Sequence, residues 1–196
     1  MSQYWYFAAT LPGFTFGSPP PLSVSEFLDR CRKNLSGQDF AEIESIPALL
    51  KSVTRPQGIR SAFLAAFLDW DRDFRNELSR LRAQALETDV TAWLRPASGP
   101  VSGGASSAAA ACFAAKDPLD AEVSLERERW SCVETLCSLH TFDLDAIAAY
   151  RIKLDIDARL AAFDTTLGRE SYGRLYHDIL GPAQNGAETT SSGVQA

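Results

Sequence analysis

Apolar residues recur every three or four positions across residues 58–86. Ile59, Phe63, Ala66 with Phe67, Trp70, Phe74, Leu78, Leu81 and Ala85 fall on one helical face. The spacing predicts a helix of about 28 residues, roughly 42 Å long at ~1.5 Å per residue. Asp69, Asp71, Arg72, Asp73, Arg75, Glu77, Arg80 and Arg82 lie mainly off that stripe. Such a stripe suits the core of a helix bundle, and a coiled-coil seam would carry similar spacing.

The remaining patterns are also helical. Ser23 with Glu26 has the spacing of a capping box, followed by Phe27, Leu28 and Cys31 on one face, and Asn34 ends that helix. Ser36 with Asp39 starts a short second helix carrying Phe40 and Ile43, expected to stop before Pro47. A loop with Pro56 and Gly58 follows. Asp117-Pro118 opens another helix, with an N-cap, a proline at the first helical position and Asp120 in the first turn. Leu119, Val123, Trp130, Val133, Leu136 and Cys137 form its apolar side. Thr141 or Asp143 caps a helix running to about Asp164, with apolar rows on more than one side, which makes it the expected centre of the bundle. Gly168 marks a break, and residues 170–180 form a last helix.

Three segments read differently. Residues 12–23 contain Pro12, Gly13, Gly17, Pro19, Pro20 and Pro21, an extended connector. Residues 96–116 are rich in Gly, Ser and Ala and offer almost no large apolar side chain, so they read as a flexible insert with a helical fragment at 108–115. Residues 181–196 are a polar tail, expected to be disordered. Only residues 4–9 show any alternation of period two. The expected fold is therefore all-α: one helical bundle of about five to seven helices over residues 1–180, with one long central helix and a short non-helical aromatic N-terminus.

Composition narrows the function. The chain has 196 residues, 25 acidic against 19 basic, and a net charge of −6. An acid excess argues against a nucleic-acid binder, which needs a basic footprint. No run of about 18 apolar residues exists to span a membrane. The start lacks Lys and Arg and reaches Pro12 too early for a signal peptide. Cys31, Cys112, Cys132 and Cys137 form no CxxC pair, so free thiols and a cytoplasmic location are expected. Gly-Lys is absent, which excludes a Walker A loop, and GxSxG, HExxH and GxGxxG are absent too.

His140 and His177 are the only histidines. His140 sits at a helix end, where a cation is favoured by the macrodipole. Asp143 and Asp145 stand at a helix start, where negative charge is stabilised. Asp155 and Arg159 have the spacing of a surface ion pair. Neither an EF-hand loop nor a Glu-x-x-His motif occurs. No catalytic residue, no metal ligand and no cofactor is expected.

Tyr4, Trp5, Tyr6 and Phe7 are four consecutive aromatics that cannot all face one core. Either they pack against other segments or they serve an interface, where Tyr and Trp are favoured. The run Tyr4-Trp5-Tyr6-Phe7-Ala8-Ala9-Thr10-Leu11-Pro12, with Ser25-Glu26-Phe27-Leu28 and Cys31-Arg32, resembles the first half of an uncharacterised bacterial family. Members of that family are encoded among the genes of V-type (archaeal-type) rotary ATPases. Arg129-Trp130, Phe142-Asp143-Leu144-Asp145-Ala146 and Tyr150-Arg151-Ile152-Lys153-Leu154 are similar to its second half. Residues 148–164, with Tyr150, Lys153 and Ile156, also resemble the end of a helical repeat in the V-type socket protein, which joins the central shaft to the membrane ring.

The resemblance implies a non-catalytic accessory or central-stalk component of a V-type proton- or sodium-translocating ATPase. Such a component would dock on ATPase subunits at the central stalk or membrane ring, in the cytoplasm or peripheral to the inner membrane through the complex. Tyr4, Trp5, Tyr6, Trp130 and Tyr150 are the partner-binding candidates. A self-associating adaptor built on the 59–85 helix, or an assembly factor for the same complex, is the alternative. An enzyme would need His140 or His177 brought to carboxylates.

Overall fold

In the computed structural model the described residues are 4–54, 56–96, 100–163, 168, 170–172 and 174–175. The chain divides into two compact units, Met1–Leu160 and Ala161–Ala196. In the second unit the described residues 168, 170–172 and 174–175 are helical. The rest of the expected 170–180 helix and the 181–196 tail lie outside the described residues.

Among the described residues every regular element is a helix, as expected for an all-α bundle. In chain order they are α1 (Trp5–Ala9), α2 (Val24–Asn34), α3 (Gly37–Lys51), α4 (Ala62–Ala85), a 3-10 turn (Thr91–Trp93), α5 (Ala105–Phe113), α6 (Pro118–Leu136) and α7 (Leu144–Ala161). Local chemistry sets most of the starts. The α2 capping box is closed in both directions, Glu26 N to Ser23 Oγ at 3.2 Å and Ser23 N to Glu26 Oε2 at 3.0 Å. Ser36 accepts from Asp39 N at 3.2 Å, and Asp117 accepts from Leu119 N at 2.7 Å ahead of Pro118. Asp143, rather than Thr141, caps α7, accepting the Ala146 amide at 3.0 Å.

Helix α4 is the long central element. It starts later than its periodicity suggests, because Ser61 Oγ accepts the Leu64 amide at 2.9 Å and caps it there. Phe63, Phe67, Trp70 and Phe74 stack in succession along its apolar face, with ring centroids 6.1, 6.2 and 4.9 Å apart. These side chains are buried in the chain's own core together with Ile43, Ile46, Val133, Ile147 and Ile152. The stripe is therefore bundle core rather than a coiled-coil seam.

The other side of α4 is closed as well. Asp71, Arg72, Asp73 and Asn76 are all buried. Asp73 accepts from both the amide and the hydroxyl of Ser102, at 2.8 and 2.7 Å. Asn76 exchanges two hydrogen bonds with the Arg95 backbone, at 2.9 and 3.0 Å. Asp71 is reached by Arg129 of α6 and by Arg75.

Three expectations need correction. Helix α3 does not stop before Pro47 but runs through it to Lys51. Losing one helical hydrogen bond costs about 3 kcal/mol. Continuing the helix lets Leu49 and Leu50, beyond the proline, pack half-buried against the core, which offsets part of that cost. The second correction concerns residues 96–116, which do not behave wholly as an insert. Ala105, Ala108, Ala109 and Cys112 of α5 are buried against α4 and α6, where small side chains allow close helix approach. The turn before α5 needs a positive φ of 80°, supplied by Gly104. Thirdly, the aromatic N-terminus is helical, as α1.

The connector of residues 12–23 is extended but firmly seated. Phe14 and Phe16 meet the Trp130 ring edge-on at 5.5 and 5.7 Å, and the Gly17 amide donates to Asp157 Oδ1 at 3.2 Å.

Candidate functional site

A helix sorts the four aromatics of the N-terminus by direction, and only some of them turn inward. Phe7 is buried on Phe27. Tyr4 is half-buried and acts as a pin: its hydroxyl donates to buried Asp39 and accepts from the Ser36 amide at 3.2 Å. Its own amide donates to the Phe142 carbonyl at 2.7 Å. Trp5 stacks on Phe142, with centroids 4.9 Å apart, yet stays 58% exposed, and Tyr6 is 83% exposed. The loop under this helix also carries Leu139, exposed at 93%. Trp5, Tyr6 and Leu139 are thus apolar groups facing solvent on a base held from two sides.

The other two partner-binding candidates are occupied by the chain itself. Trp130 is buried; its indole donates to Glu134 Oε1 at 2.9 Å, and the Lys153 ammonium lies 4.7 Å from the ring centre. Tyr150 donates to the Pro12 carbonyl at 3.0 Å, with its ring stacked on Phe27 at 5.3 Å. Burial pushes the Tyr150 phenol up to about 12. Both rings anchor the 12–23 connector. The two phenylalanines inside that connector were the sequence signal for this.

Titratable groups concentrate in two places. One is a buried network between α4, α6 and α7. Asp71 bridges Arg75 at 2.6 Å and Arg129 at 2.8 Å, and Glu126 bridges Arg129 at 3.0 Å and Arg159 at 3.2 Å. Burial would lower the Arg129 pKa, but Asp71 and Glu126 beside it hold it above its ordinary value. A cavity of about 290 Å³ opens beside the network, lined by Phe67, Arg75, Glu126, Arg129 and Asp155 among others. Lys51 and Arg159 also line it, so basic side chains outnumber acidic ones there, but Arg75, Arg129 and Arg159 are already engaged by Asp71 and Glu126.

The second place is the start of α7. His140 Nδ1 lies 2.7 Å from Asp143 Oδ2 and 3.4 Å from Asp145 Oδ2. The hydrogen bond with Asp143 raises the His140 pKa. Burial pushes Asp143 up, but the His140 bond and the Ala146 amide outweigh it and hold that carboxyl below its ordinary range. Sequence spacing alone assigned these residues to helix ends. It missed that His140, three residues before the N-cap, folds back over the first turn. The pattern His-x-x-Asp-x-Asp across a helix start was the available signal.

The cysteines show no sign of reactivity. All four are free, and burial pushes Cys31 and Cys132 up to about 12 and Cys112 and Cys137 up to about 11. A reactive thiol needs the opposite shift. No helix among the described residues is long and apolar enough to cross a membrane. Compared with protein-family models, curated proteins and solved structures, the chain matches none.

Proposed function

We propose that the protein is a non-catalytic accessory or central-stalk component of a V-type ATPase, working by docking. The observation that carries the docking reading is the outward pair Trp5 and Tyr6 on a short helix pinned by Tyr4 and Phe7. A pre-positioned aromatic pair loses little conformational freedom on binding, which is what makes such residues effective anchors. The closed charge network under α4 favours a stiff body behind that anchor. The choice of partner rests on the resemblance of Tyr4–Pro12, Arg129-Trp130 and 142–154 to the family encoded with V-type ATPases.

Co-purification tests it. Tagged protein in its native cells is expected to enrich ATPase subunits from solubilised membranes, and the double substitution Trp5→Ala and Tyr6→Ala is expected to abolish the enrichment while the protein remains folded. Folded wild-type protein that enriches no part of the ATPase overturns the assignment. Enrichment untouched by the double substitution moves the docking surface elsewhere.

A further inference from the structure

We propose that His140, Asp143 and Asp145 form a binding site for one first-row divalent transition-metal ion. One ligand atom from each residue lies within 4.8 Å of the other two. Donor atoms that each sit about 2.0–2.2 Å from a common cation must be roughly 3–3.5 Å apart when adjacent. Of the separations from His140 Nδ1, the 3.4 Å to Asp145 falls in that range, and the 2.7 Å to Asp143 is a hydrogen bond that opens by a few tenths of an ångström when a metal replaces the shared proton.

Asp145 points to a ligand independently of the spacing. It is 3% exposed, and its Oδ2, the atom facing His140, accepts no hydrogen bond among the described residues. The His140 ring at 3.4 Å is its ion-pair partner but gives it no hydrogen bond, and the remaining cost of a buried carboxylate oxygen held this way is relieved by direct coordination to a cation. His140 and Asp143 keep about a fifth of their side-chain surface exposed, at 23% and 19%, which leaves room for access and for water ligands. The Ala146 amide fixes Asp143 through its other oxygen, Oδ1, at 3.0 Å and leaves Oδ2 for the metal, the usual role of an outer-shell donor.

The donor set selects the ion. One imidazole with two carboxylates suits Mn²⁺, Co²⁺ or Zn²⁺, whereas Mg²⁺ and Ca²⁺ favour oxygen alone and Cu⁺ favours sulfur. On binding, the Nδ1 proton that His140 shares with Asp143 leaves to solvent, and the metal takes its place. The bound ion would tie the loop bearing Phe142, on which Trp5 stacks, to the first turn of α7. The site itself does not depend on the docking reading, since metal binding is measured on the isolated chain.

Mn²⁺ alone is the first probe, because it avoids the four thiols. Titration of the metal-free full chain, followed by the electron paramagnetic resonance of free Mn²⁺, is expected to show one bound ion. His140→Gln and Asp145→Asn are each expected to weaken it by about 100-fold or more, because outer-shell partners alone are worth ~10–100-fold. His177→Gln, at the only other histidine, is expected to change nothing. Should Asp145→Asn not fold, wild-type protein still decides the matter. Substoichiometric Mn²⁺ is expected to broaden the ring protons of one histidine, assigned to His140 by the His177→Gln spectrum. Equal broadening of both histidines, broadening of neither, or affinity indifferent to His140→Gln overturns the site.

Discussion

Asp71 is a buried carboxylate whose removal should cost the fold heavily. It lies at the middle of α4, 2% exposed, with one carboxylate oxygen 2.8 Å from Arg129 Nε and the other 2.6 Å from Arg75 Nε. Asp71→Ala leaves Arg129, only 11% exposed, to share Glu126 with Arg159. Breaking one partner out of a buried ion pair costs about 3–5 kcal/mol, and the lower end applies here because Arg129 keeps a shared counter-ion in Glu126. Against a total stability of about 5–15 kcal/mol for a domain, that is a large share. At about 2–4 °C per kcal/mol for a chain of this size, the melting temperature should fall by roughly 10 °C.

Urea unfolding followed by circular dichroism measures it. The midpoint is expected to fall with the slope unchanged, as for a loss of native stability alone. Asp29→Ala serves as the control: its 3.2 Å pair with Arg32 is exposed on both sides and should be worth no more than about 0.5 kcal/mol. The further change Arg129→Met in the Asp71→Ala background should restore part of the loss, because it takes away the stranded cation. A loss below about 1 kcal/mol for Asp71→Ala would refute the reasoning, since it would mean that water reaches the polar side of α4.

Two further outcomes follow from the packing and the charges. Ala109→Leu is expected to destabilise by about 1–3 kcal/mol in thermal melts, since Ala109 is fully buried where α5 meets the core, and a neutral result would unseat α5 from the bundle. Asp157 is buried, with Oδ1 on the Gly17 amide and Oδ2 without a hydrogen bond among the described residues; burial holds its pKa above the ordinary carboxylate value, against the Gly17 amide and Lys153. The native state therefore binds more protons than the unfolded chain from about pH 3.9 up through the raised value, and Asp157's contribution declines as pH rises across that window. Asp157→Asn keeps the Gly17 bond and should raise the urea midpoint at pH 7, with the gain shrinking towards zero below about pH 4; a difference constant with pH would refute this.

What could be read from the sequence was local, and what could not was mutual. Ser23–Glu26, Ser36 and Asp117-Pro118 start their helices where a reader expects, because an N-cap acts within one turn and needs no other part of the chain. The apolar stripe of α4 was equally plain. Its polar face was not, since periodicity says which side is apolar and nothing about whether the opposite side is covered. Asp71, Asp73 and Asn76 look like a solvated face until Arg129, Ser102 and the Arg95 backbone, 19 to 58 residues away, arrive to satisfy them. The candidate site divides in the same way. Trp5 and Tyr6 stood out because four aromatics in a row are locally anomalous, while Trp130 and Tyr150 are claimed by Phe14 and Pro12 from a connector that looked like mere spacer.

The Ser/Ala-rich tract makes the sharper case about composition. Sequence with little large apolar surface is read as unpacked because a core normally needs such surface. That inference assumes the segment must contribute volume. Helix α5 contributes closeness instead: Ala105, Ala108 and Ala109 let its backbone approach α4, whose own Phe and Leu side chains supply the volume. A small-residue helix can be core when its neighbour is large, and that condition is written in the neighbour's sequence rather than its own.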